Sequence, residues 1–222
     1  MTEDARLAFW LSLRIASCAT MLSLVVGLPL AWTLARRRIF GRALWEGLIL
    51  LPLVLPPTVL GYYLLTTLGA QSRAARAFQM LTGHELHLVF TWQGATLAAC
   101  IVSLPLLIRA LQISFAEIDA DLLDAARVSG ATEWQLFRYI ALPLARRGLV
   151  VGISLAFARA LGDFGATLMV GGNIPGQTRT LSIAIYDAYN GGDEHLAAFL
   201  VITLSVVCLL FVLLASFFEK RI

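Results

Sequence analysis

The chain has 222 residues, 59% of them hydrophobic and 14% charged, with a mean hydropathy of +0.81. Soluble domains carry roughly 45–50% apolar and about 25% charged residues, so the composition excludes a protein built for water alone. The net charge of +3 would suit a nucleic-acid partner on a soluble chain, but here topology accounts for it and no nucleic acid is expected.

Five apolar runs are long enough to cross about 30 Å of hydrocarbon as helices. The first, 15–35, follows Glu3 and Asp4 and precedes Arg36, Arg37 and Arg38. A secretory signal has the opposite polarity, so the run reads as a retained span. The second, 47–72, contains Pro52, Pro56 and Pro57. Proline removes a helical hydrogen bond and clashes with the preceding turn, and unsatisfied backbone cannot face lipid. This span is therefore expected to bend or break, and Pro56 and Pro57 either shape packing or line a pathway. The third run is 86–108 and the fifth 196–218.

The fourth run, 148–170, is interrupted by Arg159 and Asp163. At 100° per residue, Gly148, Gly152, Ala156, Arg159 and Asp163 share one sector. Val150, Ile153, Phe157, Leu161, Phe164 and Leu168 lie opposite. Small residues four apart let helix backbones approach, so the small face should meet protein and the bulky face lipid. Ionisable groups at membrane depth pair, face the bundle interior and mark functional paths. Arg159 and Asp163 read either as a pathway or gate, with Arg159 mid-span, or as an interface lock.

Arg36, Arg37, Arg38, Arg42, Arg109, Arg127, Arg138, Arg146, Arg147, Lys220 and Arg221 fall on one side of the spans, against Arg6, Arg73, Arg76 and Arg179 on the other. By the positive-inside rule the N-terminus lies outside and the C-terminus in the cytoplasm. Trp10 and Trp92 mark the outer headgroup level and Trp32 and Trp45 the inner one. Cys18, Cys100 and Cys208 fall inside spans without motif spacing, and His84 with His87 is too slight a pair for a metal. No metal site and no cofactor are expected.

The least lipid-like stretch is 117–147, within a cytoplasmic loop taken as 111–147. Asp119 can cap a short helix with Asp121 in its first turn, Gly130 suits the left-handed residue that ends it, and Thr132 with Gln135 fits a capping box for a second helix. Pro143 stands at the end of that second helix.

This stretch resembles the signature of ABC importer permeases: EAA, three residues, G, nine residues, I, one residue, LP. Asp124, Ala125, Ala126, Gly130, Ile140, Leu142 and Pro143 fall at those spacings, with Asp124 in place of the usual Glu. The resemblance implies an all-α polytopic bundle of the type I importer permease kind, residues 1–222 forming one transmembrane domain of about five spans in the bacterial inner membrane. It implies that the first loop helix couples the chain to a separate ABC ATPase subunit, with Ala125 and Ala126 permitting close approach. A P-loop needs GxxxxGK[ST] and the only lysine is Lys220, so ATP hydrolysis is expected of a partner.

Over nearly the whole chain, LPLVLPPTVLGYYLL, FTWQGA, FARALGDFGAT and NIPGQTRTLSIAIYDA resemble the molybdate permeases of bacterial importers, and sulfate and thiosulfate permeases share part of the pattern. The resemblance implies a small oxyanion as cargo, molybdate first, with tungstate its companion and sulfate or thiosulfate the alternative. It also implies a second copy of the chain, surrounding lipid and an external substrate-binding protein. A stand-alone channel or secondary transporter would leave the 117–147 loop without a purpose, and an intramembrane enzyme would need more than Arg159 and Asp163.

Overall fold

The computed structural model describes residues 3–36, 40–85 and 87–221, with side chains as far as Phe217. Leu86, where the third span was expected to start, the arginines Arg37 and Arg38, and the side chains of Phe218, Lys220 and Arg221 lie outside the described residues or atoms. The described chain is helical: α1 (Glu3–Arg36), α2 (Arg42–Val54), α3 (Pro57–Leu68), α4 (Arg73–Thr82), α5 (Trp92–Ala116) and α6 (Ala120–Val128) come first. Then α7 (Glu133–Gln135) runs through a π-helical segment, Leu136–Ala141, into α8 (Leu142–Leu144). The order closes with α9 (Arg146–Leu161), α10 (Gly165–Gly171), α11 (Leu181–Asn190) and α12 (Glu194–Arg221).

Helices α1, α5 and α12 are each long and apolar enough to cross a membrane. Two further candidates are broken: Arg42–Val54 and Pro57–Thr82 are bent by 107°, and Glu133–Leu144 and Arg146–Leu161 by 77°. The first break is the one that Pro56 and Pro57 demand. Leu55 and Pro56 adopt extended backbone (ψ 141 and 134), and Pro57 opens α3 where its missing N–H costs nothing.

The bundle centres on α5, whose two flanks pack on α1 and α9. The buried stripe of α1 is Ala5, Ala8, Ser12, Ala16, Ala19, Ser23, Gly27 and Ala31, small side chains one turn apart that bring two backbones together. The approach is so close that a Cβ added at Gly27 would stand 3.0 Å from Leu107 Cδ2. Helix α9 runs antiparallel to α5. A Cβ at Gly148 would reach 1.8 Å from Ser114 Oγ, one at Gly152 would lie 3.0 Å from Leu107 Cδ1, and Phe157, Ala160 and Leu161 share a cluster with Ala95 and Ala99.

Several expectations are corrected. Helix α5 runs on to Ala116, so Arg109 and residues 111–116 of the expected loop are helical. The fourth is interrupted after Leu161, and α10 restarts at Gly165, so the single helical wheel fails beyond that point. Phe157 and Leu161 are buried, not lipid-facing, because Phe157 stacks on Phe211 of α12 at 4.0 Å between ring centroids. Helices α4 and α11 lie between the apolar runs, where no helix was expected.

Candidate functional site

The elbow at Gly130 is built by local hydrogen bonding. Asp119 Oδ1 accepts from the Asp121 N–H at 3.0 Å and caps α6. At the other end Gly130 takes φ +87, its N–H donates to Arg127 O at 2.9 Å and the Ala131 N–H donates to Ala126 O at 3.0 Å. That pair of bonds is a Schellman motif, which needs the left-handed residue at this position. Thr132 and Gln135 form the expected capping box, with Gln135 N–H to Thr132 Oγ1 at 3.3 Å and Thr132 N–H to Gln135 Oε1 at 2.8 Å.

Across the turn, Arg127 Nη1 donates to Asp124 Oδ1 at 2.6 Å and Arg127 Nε to Glu133 Oε1 at 2.9 Å. The two carboxylates, Glu133 first, raise the guanidinium pKa further above its usual value. One arginine thus ties α6 to α7. The sequence reading missed Arg127 and Glu133 as a unit, although an acid three residues before a base on a helix is the signal for half of it.

Leu123, 1% exposed, anchors α6 in the core with Phe115, Ile118, Leu136 and Ala141. Asp124 and Ala125 are exposed with Leu122 and Val128, while Ala126 is half-buried against the chain's own core. Ala125 is thus the more accessible of the alanine pair, and Ala126 keeps part of its surface open. Ile140 packs on the same core and Leu142 is half-buried. Pro143 is exposed and lines a cleft of about 680 Å³ with Ser114, Glu117, Asp119, Arg146 and Arg147. The cytoplasmic end of α1 is tied to this assembly by Arg36, whose Nη2 donates to Ile118 O.

The second constellation lies where two spans break. A Cβ at Gly165 would stand 2.9 Å from Pro57 Cβ, and one at Gly61 would stand 2.7 Å from Met169 Cβ, so α3 and α10 meet through glycines directly after their breaks. Arg159 Nη1 pairs with Asp163 Oδ1 at 3.2 Å, the side chains being 27% and 1% exposed. Asp163 Oδ2 accepts from both the Thr167 N–H (2.9 Å) and the Thr167 hydroxyl. The aspartate therefore holds the first turn of α10 as well as the arginine. Because Leu161 clusters with Ala95 and Ala99 near the start of α5, Arg159 sits in the outer half of the bundle and not at its middle.

Arg14, which the arginine count left unassigned, lies 3.8 Å above the Trp92 ring. An arginine over an indole is a cation–π pair, and it reinforces the outer boundary that Trp92 marks. No group of three or more potential metal ligands occurs among the described residues.

Three unbroken candidate spans, two bent helix pairs that can each make a further one, and a capped elbow between α6 and α7 define a polytopic helical membrane protein. Residues 24–222 match the family of binding-protein-dependent transport system inner membrane components, and the chain belongs to that family. It is a multi-pass component of the bacterial inner membrane. The chain is similar to the molybdenum transport system permease protein ModB of Escherichia coli, at 40% identity over 208 residues that cover 93% of this chain and 90% of that protein. It is also similar to the probable sulfate transport system permease protein cysT of Chlorella vulgaris, at 33% identity over 212 residues, 96% of this chain and 79% of that one. The fold matches a bacterial ABC transporter involved in import of the acidic polysaccharide alginate, with a TM-score of 0.81, 17% identity and coverage of 100% of this chain and 81% of that chain.

Proposed function

We propose that the chain is the permease subunit of an ATP-driven importer of molybdate, accepting tungstate as its nearest chemical analogue. The supporting observation is the 40% identity to a molybdenum permease over nearly the full length of both chains, against 33% for a sulfate permease. In this reading α6, with Ala125 and Asp124 outward, seats in an ABC ATPase subunit, and Gly130, Ile140, Leu142 and Pro143 make the elbow stiff enough to transmit a rigid-body push. An external binding protein delivers the anion. Two copies of the chain enclose the path, since five spans surround little space alone, and Arg159 and Asp163 with the Pro56 and Pro57 break stand beside that path.

The test is reconstitution of the chain with its ATPase and binding protein in liposomes, followed by uptake of labelled molybdate, tungstate and sulfate. ATP-dependent, saturable uptake of the first two and not of sulfate is expected. Equal sulfate uptake would move the chain to the sulfate group, and uptake without ATPase would overturn the importer reading.

A further inference from the structure

Helix α4 has a composition that its own fold does not use. Of Arg73–Thr82 only Ala75 is buried, and a ten-residue helix is marginal in water by itself. Its ends are nonetheless well made: the Ser72 hydroxyl accepts from the Ala75 N–H at 2.9 Å, and Gly83 closes it at φ +73. At 100° per residue, Ala74, Ala77, Phe78 and Leu81 form one stripe, with Phe78 40% and Leu81 87% exposed. Arg73, Arg76 and Gln79 form the other stripe, and Met80 falls on their side. Neither arginine has a carboxylate partner among the described residues.

We propose that α4 is an interfacial helix that lies in the outer headgroup layer, with Phe78 and Leu81 at the acyl boundary and Arg73 and Arg76 on lipid phosphates. Three observations select lipid as the occupant. The helix follows α3 after four residues and packs on it, and α3 itself exposes Val59, Tyr62 and Tyr63, the apolar surface of a membrane-embedded segment. The pairing of a short apolar stripe with an arginine stripe is the pattern of helices that lie in a membrane interface. The two unpaired guanidiniums complement phosphate in geometry and charge. The inference goes beyond the importer reading and does not depend on which anion is carried.

The test places a photoreactive phenylalanine analogue at Phe78, Leu81 or Gln79 in the complete transporter. Each protein is reconstituted in vesicles of phosphatidylethanolamine with phosphatidylglycerol, or of phosphatidylcholine alone, and adducts are read by mass spectrometry with and without the binding protein. Lipid adducts at Phe78 and Leu81 on the order of fivefold above those at Gln79 are expected of an interfacial face, unchanged by the binding protein. In the same assay Arg73→Gln with Arg76→Gln should lower the adduct yield at Leu81 in the anionic vesicles and leave it unchanged in phosphatidylcholine if charge selects the headgroup, or lower both alike if phosphate suffices. Adducts at Phe78 and Leu81 to the binding protein or to a second copy of the chain, in place of lipid, would overturn the proposal. Equal lipid yields at all three positions would overturn it as well. Elution of each variant as the intact complex separates these outcomes from misfolding.

Discussion

At the scale of single residues, Asp163 carries more than its ion pair. It is buried, accepts two hydrogen bonds from Thr167 and faces Arg159. Removing one member of a buried pair costs about 3–5 kcal/mol, so Asp163→Ala should sharply lower the amount of assembled protein. The replacement that isolates the charge is Asp163→Asn combined with Arg159→Leu. The amide oxygen can still accept from Thr167, and no lone charge remains. This double variant is expected to assemble at the wild-type level yet take up anion poorly, while Arg159→Lys keeps part of the uptake as a point charge without the guanidinium fork. Wild-type uptake in the double variant would make the pair a packing lock and nothing else.

At the scale of elements, the elbow separates folding from coupling. Its bonds from Arg127 to Asp124 and Glu133 are solvent-exposed, and such pairs contribute roughly 0.2–1 kcal/mol each. Arg127→Ala should therefore leave the bundle intact while loosening the angle between α6 and α7, with transport-linked ATPase activity reduced and basal assembly unchanged. Ala125→Trp should block seating of α6 without touching the chain's own core, since Ala125 is exposed. A bulky residue at Ala126 is a poorer probe, because that side chain also packs in part against the chain's own core. Transport-linked ATPase activity at the wild-type rate in both Arg127→Ala and Ala125→Trp would remove the coupling role from this loop.

The same elements mark what was legible in the sequence. The caps at Asp119, Gly130 and Thr132 depend on neighbours within about one turn, and proline dictates its own break at Pro56. These were readable because short-range chemistry decides them. The small face of α9 was readable too, as Gly148, Gly152 and Ala156 are buried where the 100° wheel places them. The interruption between Leu161 and Gly165 was not, because it depends on Asp163 capping α10 and on Pro57 lying against Gly165. Burial of Phe157 likewise waits on Phe211, more than fifty positions away in the chain. Helices α4 and α11 escaped notice because each has only ten residues, about half of what a membrane crossing needs.

At the scale of the whole molecule, the tertiary contacts and the arginine count can be set against each other. The N-terminal end of α1 shares its end of the bundle with α11 and the start of α12: Ser12 Oγ accepts from the Leu181 N–H at 2.7 Å, and Ala5 and Ala8 cluster with Ala184 and Leu200. The opposite end of α1 reaches the elbow through Arg36 and Ile118. Glu3 and Val128 therefore lie at opposite ends of the bundle, and the positive-inside rule assigns Glu3 to the outside. The background for a labelling test is favourable, since Cys100 is buried, and Cys18 and Cys208 are half-buried within membrane-spanning helices. An impermeant thiol reagent should modify Glu3→Cys on intact spheroplasts. It should modify Val128→Cys, which replaces a side chain 89% exposed, only after the membrane is opened, in cells that express the chain without its ATPase so that no partner covers α6. Labelling of Val128→Cys on sealed spheroplasts with protection of Glu3→Cys would invert the orientation, and would place the elbow on the side where no ATP is available to drive it.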